Sequence, residues 1–243
     1  MTSHPDGGPL RLDEALQQLG QFSLADHSMP SLLALVVGLA QRSLPGRPEA
    51  SVTLLRRGRP YTATFSGALA KDLDESQYGY GYGPCLEAAT TGVVVEVVDT
   101  RHDLRWPGYV ESAVAHGCLS SLSLALPLHE GVTGALNVYA REPAAFDHDS
   151  REQAPRLASY AAVAAGNMLL YEDAVTRAAN LEVALRSRAV IDQAKGMLME
   201  RFRLTADQAF AALAQVSMET NRKVRDVAER FVETGEFTAS SVR

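Results

Sequence analysis

Near the C-terminal end of the chain, ten residues have the side chains and spacing to meet a polyanion. They are Arg188, Gln193, Lys195, Gly196, Arg201, Ser217, Asn221, Arg222, Lys223 and Arg225. The chemistry they offer is recognition, not catalysis. Arg188 and Lys195 are seven residues apart, two helical turns, so they share a face and can both reach phosphate. Gly196 costs a helix about 1 kcal/mol relative to Ala and permits close approach of RNA or of another helix. Gln193, Ser217 and Asn221 can hydrogen-bond exposed base edges or 2′-hydroxyls, and Arg201 adds a cation where the first helix ends. Arg222, Lys223 and Arg225 surround the start of a later helix, where free backbone N–H groups also favour anions. Each has a plainer reading: Arg188 can pair with Glu182 or Asp192, Ser217 can be a small packing residue, and Met197 and Met199 fill core.

A second group could serve a small molecule. Tyr78, Tyr80, Tyr82 and Trp106 can line a pocket, or equally close a hydrophobic core with the Gly-Tyr alternation as a lid. Cys85 is a redox thiol only if a helix N-terminus lowers its pKa, and an ordinary buried cysteine is the alternative. Cys85 and Cys118 are the only cysteines, which points to free thiols and no disulfide framework. His102, His116, His129 and His148 lack metal-ligand spacing, and no motif names a cofactor.

Charge narrows the partner. From Asn180 to Arg243 there are ten Lys and Arg against nine Asp and Glu, while residues 1–179 carry thirteen against twenty. A near-neutral tail on an acidic body disfavours strong nonspecific polyanion binding, which scales with the phosphates neutralised, but allows selective contacts through a few placed residues. The longest apolar run, Leu32 to Ala40, is about half the roughly 18 residues a membrane span needs. The first residues have neither a basic start nor an apolar stretch, so a cytoplasmic location is expected.

The elements that must position these groups follow from periodicity. Residues 1–10 read as disordered. Arg11 to Phe22 and Pro30 to Leu44 read as helices, and Ser51 to Arg56 and Tyr61 to Phe65 as a hairpin across Arg57-Gly-Arg-Pro60. No element is assigned to the stretch that follows. Gln77-Tyr-Gly-Tyr-Gly-Tyr-Gly-Pro84 is read as non-helical and bent before Pro84. A short helix at Cys85 to Thr91, a strand at Val93 to Val98, a helix at Trp106 to Gly117, and strands at Ser120 to Leu128 and Gly134 to Tyr139 complete an α+β pattern, an antiparallel sheet with helices to one side.

Helix formers then run from Arg151 to Leu185. Three tail helices are expected at Leu181 to Arg201, Ala206 to Glu219 and Val224 to Glu233. Thr205 and Gln208 form a capping box, Ala209, Phe210, Leu213 and Val216 a buried stripe, Val224, Val227, Ala228 and Phe231 another, and Gly235 a stop. Ala184, Ile191 and Leu198 recur every seven residues, with Leu181, Leu185 and Ala194 adjoining. Two such helices can pair as a coiled coil, and packing on the chain's own bundle fits the same residues.

Two resemblances follow. Gly83-Pro-Cys-Leu-Glu87, Asp99 through Arg105-Trp-Pro107, Pro127-Leu128, Gly134-Ala-Leu-Asn-Val-Tyr139 and Phe146-Asp147 resemble the GAF domains found ahead of actinobacterial RNA-binding modules. That implies a sensor fold with a ligand cavity between sheet and capping helices, where Tyr80, Tyr82, Cys85 and Trp106 are the candidate ligand contacts. The pattern of cyclic-nucleotide-binding members is absent. Ser187-Arg-Ala-Val-Ile-Asp-Gln-Ala-Lys-Gly-Met-Leu-Met-Glu-Arg201, with Ala209-Phe210, Ser217 and Asn221-Arg-Lys-Val-Arg-Asp-Val-Ala228, resembles an ANTAR domain. That implies a non-enzymatic GAF-ANTAR transcription antitermination regulator that binds paired RNA hairpins in nascent transcripts.

The expected layout is a GAF-like α+β domain at 11–170, a helical linker at 171–180, an all-α three-helix ANTAR-like domain at 181–235, and a tail at 236–243. A homodimer is expected, with a signal at the sensor biasing two dispositions of the helix between Pro155 and Arg201. Two other readings stand beside it: a GAF-fold reductase of free methionine sulfoxide using Cys85 and Cys118, and a sensor that signals through protein–protein contacts.

Overall fold

The computed structural model describes residues 10–129 and 131–237. The expected disorder of residues 1–9 and the last six residues of the tail lie outside them. The chain divides into two units at Tyr171/Glu172, labelled sensor and effector after the roles expected from sequence.

In the sensor the helices α1 (Leu12–Gly20) and α2 (Met29–Ser43) lead into β1 (Glu49–Arg56) and β2 (Arg59–Phe65), followed by α3 (Ala68–Tyr80), α4 (Pro84–Thr91), β3 (Val95–Val97), α5 (Pro107–Ala115), β4 (Ser120–His129) and β5 (Val132–Ala140). The five strands form one sheet in the order β2-β1-β5-β4-β3, antiparallel at every pairing. Helices cover both faces, not one. Leu32, Val36 and Leu39 of α2 pack with Leu122, Leu124 and Leu136 against one face, and Leu69, Leu73, Ala88 and Tyr109 of α3, α4 and α5 pack with Ala135 and Tyr139 against the other. Alternation along β5 sends Leu136 and Val138 to the first core and Ala135 and Tyr139 to the second.

The helix α3 occupies the stretch left unassigned from sequence, and it continues through Tyr78-Gly79-Tyr80. The chain turns only afterwards, at Gly81 (φ 75°) and Gly83 (φ 149°). Tertiary contacts override the weak glycine propensity here. A side chain at Gly83 would collide with Gln77, whose Oε1 accepts from the Cys85 N–H at 2.9 Å and whose amide donates to Tyr139.

The helix α6 (His148–Phe202) is a single 55-residue element that spans the expected linker and the first effector helix without a break. It begins before Arg151, where the Asp147 carboxylate accepts from the Ser150 N–H (2.8 Å) and hydroxyl (2.6 Å), and Pro155 lies inside it. In the effector, α7 (Ala206–Thr220) and α8 (Val224–Thr234) pack on its C-terminal part. The Thr205–Gln208 capping box is present, and Gly235 ends α8 in the left-handed conformation (φ 68°). The core is Ala194, Leu198, Ala209, Leu213, Val227, Ala228 and Phe231.

The expected stripe on α7 is corrected at one place. Phe210 is 47 % exposed, because Ala209 and Leu213 make the buried line and Phe210 is turned about 100° from it. Of the heptad-spaced residues on α6, Ile191 and Leu198 are used by the bundle and Ala184 is exposed; of those adjoining, Ala194 is buried while Leu181 and Leu185 are exposed. Met197 is partly buried against this core, whereas Met199 is exposed.

Candidate functional site

In the sensor, the second core is built around a buried carboxylate. Asp74 and Gln77 are three residues apart on α3, so both point from one helical face toward the sheet, with Tyr78 adjoining. Asp74 Oδ1 accepts from the Tyr139 hydroxyl at 2.6 Å and from the Asn137 amide at 3.2 Å. Its Oδ2 accepts from Thr62 at 3.0 Å and from Thr53 at 3.4 Å. The Tyr78 hydroxyl bridges those two threonines, 2.8 Å from Thr53 and 2.9 Å from Thr62. Strand pairing makes this possible, since Thr53 opposes Thr62 between β1 and β2, and Ser51 opposes Asn137 between β1 and β5.

Burial pushes the Asp74 carboxyl up to about 6, against the pull of the hydroxyl donors beginning with Tyr139. Tyr139, Asn137, Thr62 and Thr53 all donate to it, so both carboxylate oxygens are satisfied in the ionised form. Farther along the same face Tyr109 donates to Ser121 at 2.8 Å, and the Asn137 Oδ1 and Ser123 Oγ atoms are buried without a hydrogen-bond partner among the described residues.

The candidate ligand contacts do not converge. Cys85 and Trp106 belong to the second core, whereas Tyr80 and Tyr82 lie on the surface, their rings 5.7 Å apart and stacked. Tyr80 also covers Gly108, where a side chain would come within 2.8 Å of its ring. The Arg105 guanidinium sits 4.3 Å over the Trp106 ring. Although Cys85 occupies the first turn of α4, burial and then the Asp74 charge hold its thiol well above the usual cysteine range. Burial pushes Cys118 up to about 12. Both thiols stay protonated at neutral pH.

Sequence reasoning missed Asp74, Gln77, Thr53, Thr62, Asn137 and Tyr139. The signal available was the i, i+3 pair of polar residues on α3 together with the alternation Ala135, Asn137, Tyr139 on β5.

In the effector, the ten residues singled out for anion recognition separate into exposed groups and groups with work inside the fold. Arg188 and Lys195 lie on one flank of α6 and share Asp192, at 3.6 and 3.1 Å. Gln193 is two positions from Lys195 and therefore faces roughly the opposite side. A methyl at Gly196 would meet open space, so the glycine is not required by packing within the chain.

Arg201 donates to the Gly235 carbonyl at 2.7 Å, tying α6 to the end of α8. The Ser217 hydroxyl donates to the Arg222 carbonyl, and Asn221 ends α7 in the left-handed conformation (φ 52°), so both build the α7–α8 turn. Arg222 and Lys223 are exposed beside that turn, and Arg225 pairs with Asp226 at 3.0 Å. Arg225, Asp226 and Glu229 line one side of a cleft of about 250 Å³ whose other side is Val183, Arg186, Ser187 and Val190 of α6.

Comparison with known proteins yields two family matches. The model of the GAF domain matches residues 26–165, and that of the ANTAR domain matches residues 179–232. Among solved structures, the phycocyanobilin-bound GAF domain from a cyanobacterial phytochrome is similar at 16% identity and a TM-score of 0.52, over 67% of this chain and 97% of that one. The reduced form of fRMsr of Staphylococcus aureus is similar at 18% identity and a TM-score of 0.50, over 66% of this chain and 97% of that one. At these identities the likeness is one of fold. A search of curated proteins gave no match.

Proposed function

The chain belongs to the GAF domain family and carries an ANTAR domain behind it, and from that premise we propose that it is a signal-responsive transcription antitermination regulator that binds paired RNA hairpins in nascent transcripts. The sensor is assigned to 11–170, the helical linker to 171–180 and the RNA-binding effector to 181–235. One observation carries the reading: a three-helix bundle in the ANTAR order leaves Arg188, Lys195, Arg222 and Lys223 at its surface, with no role in its apolar core. Phosphates can take over Arg188 and Lys195 because exposed pairs such as theirs with Asp192 are weak.

Within this proposal Arg201 and Ser217 shape the surface and do not contact RNA, since their side chains serve the α6–α8 and α7–α8 joints, whereas Asn221 forms the turn with its backbone and keeps an exposed carboxamide for recognition. The protein acts in the cytoplasm as a homodimer and is not an enzyme. Among the described residues no helix is long and apolar enough to cross a membrane. Reductase chemistry is disfavoured by the two buried, protonated thiols, because the thiolate is the nucleophile.

The test is binding of the full chain to an RNA with two hexanucleotide-loop hairpins, beside a single-hairpin RNA and the Arg188→Ala, Lys195→Ala double variant. Selective binding of the paired hairpins by the wild type, weakened in the variant, is the expected result. Binding that is indifferent to hairpin number and to both substitutions sinks the proposal.

A further inference from the structure

Among the described residues of the effector, Phe210 is the aromatic side chain that the bundle leaves exposed. It belongs to no core cluster, although it directly follows the buried Ala209 in the second turn of α7. Its surroundings follow from the path of the bundle. Residues 203–205 join α6 to α7, and Ala209 and Leu213 pack on Ala194 and Leu198, so α7 returns antiparallel along α6. The helix α8 runs parallel to α6, since Arg201 reaches Gly235 at one end and the cleft residues Arg225, Asp226 and Glu229 face Val183, Arg186, Ser187 and Val190 at the other.

Cleft residues therefore mark the α8 side of α6. Arg188, Lys195 and Met199 project from the other flank, the one beside α7. A step of about 100° from buried Ala209, taken in a right-handed helix antiparallel to α6, turns Phe210 toward that same flank. Ser217 lies two turns farther along the Phe210 stripe. The outer groove between α6 and α7 thus combines an exposed ring, an exposed thioether and two cations.

We propose that Phe210 is a stacking platform for an unpaired base of the bound RNA loop, with Lys195 and, farther along the same groove, Arg188 holding phosphates of that strand. The inference rests on the RNA-binding reading above and adds the residue that contacts a base. A flat exposed ring beside cations suits single-stranded nucleotides, whose bases stack on aromatics while their phosphates track positive charge. Phe210 and Met199 alone make too small an apolar patch for a protein interface, which needs a contiguous buried centre.

The experiment measures affinity of the full chain, as wild type, F210A and F210W, for the paired-hairpin RNA and for versions in which each loop nucleotide in turn is abasic. F210A should raise Kd by about fivefold to a hundredfold, the range of one base–aromatic stack, and F210W should restore it. One abasic position should weaken the wild type to a similar degree and F210A hardly at all. An F210A protein that binds like wild type overturns the proposal while leaving the RNA reading intact, and so does a loss that adds independently to every abasic position. Should the wild type fail to select the paired hairpins, the RNA reading itself falls and this inference with it. Melting of F210A well below the wild type would show a core residue, and would also overturn the proposal.

Discussion

The sensor keeps a charge inside its fold and the effector keeps its charges outside. Among the described residues, every buried polar or charged side chain lies in the sensor: Ser51, Thr53, Asp74, Gln77, Asn137 and their neighbours up to Ser150. The effector core is seven apolar side chains, and its ion pairs, among them Arg188 and Lys195 with Asp192 and Arg225 with Asp226, are at the surface. The two arrangements fail differently. A buried carboxylate among neutral donors lowers stability when ionised and makes folding depend on pH, yet its directional bonds fix how α3 sits on the sheet. A small apolar core is indifferent to pH, and it leaves the polar surface free to be changed by recognition.

The largest effect should come from the effector core. Phe231→Ala removes a fully buried ring from a cluster of seven, and about 3–5 kcal/mol is the usual cost of such a truncation. A cluster this small should lose its cooperative helical melting by circular dichroism. Trp106 is the chain's single tryptophan and lies in the sensor core, so its fluorescence reports the other unit alone. Its transition should stay where it is. A Trp106 transition that moves with the effector would break the contrast drawn above.

Acid sharpens the contrast from the other side. The Asp74 carboxyl has a folded pKa of about 6 against 3.8 as its ordinary value. Its protonated form is therefore favoured by folding. That stability is fully present below about pH 4 and is lost as pH rises through about 6, a change of about 3 kcal/mol. Asp99, Asp103 and Asp147, held low first of all by hydrogen bonds from Arg101, Arg105 and Ser150, act in the opposite sense. The readout is thus the difference between wild type and Asp74→Asn, followed by Trp106 during urea unfolding at several pH values. Wild type should lose stability relative to Asp74→Asn between pH 4 and 6, and parallel profiles would show that Asp74 is not the coupled group.

Most of what was legible in the sequence was apolar periodicity. The strands, α2, α7 and α8 followed from it, as did the Thr205 cap and the Gly235 stop, because each buries aliphatic residues or ends in a local bond. The helix α3 was hidden for the reason that makes it informative. Asp74 and Gln77 stand where an apolar stripe would continue, so the face that enters the core reads as a solvent face. Phe210 failed in the reverse direction, an aromatic assumed to be inside that the bundle leaves outside. Of the candidate RNA residues, spacing correctly paired Arg188 with Lys195. It could not show that the Arg201 and Ser217 side chains bond to backbone carbonyls, because those bonds join positions that only the folded turns bring together.

A single hydroxyl tests the sensor network more gently. Tyr139→Phe keeps the ring and deletes the donor 2.6 Å from Asp74 and the acceptor for Gln77. A hydrogen bond to a charged group contributes about 1.5–3 kcal/mol, so the Trp106 transition should fall by about 2 kcal/mol at pH 7. The loss should shrink toward pH 4, where a protonated Asp74 no longer needs that donor. A penalty independent of pH would mean that the hydroxyl matters through packing or Gln77 alone.

The smallest effect separates stability from recognition in the effector. Thr205 Oγ1 accepts from the Gln208 N–H at 3.3 Å, and Gln208 Oε1 accepts from the Thr205 N–H at 2.9 Å, so Thr205→Ala removes one arm of the box and leaves the other. About 1 kcal/mol should be lost from effector unfolding, with no change at Trp106. Because the cap lies at the start of α7 and touches neither Arg188 nor Lys195, RNA affinity below the melting range should be unchanged. Affinity that drops along with this modest loss would mean that the recognition surface is ordered only marginally, and that the apolar core does not hold it rigid independently of what it binds.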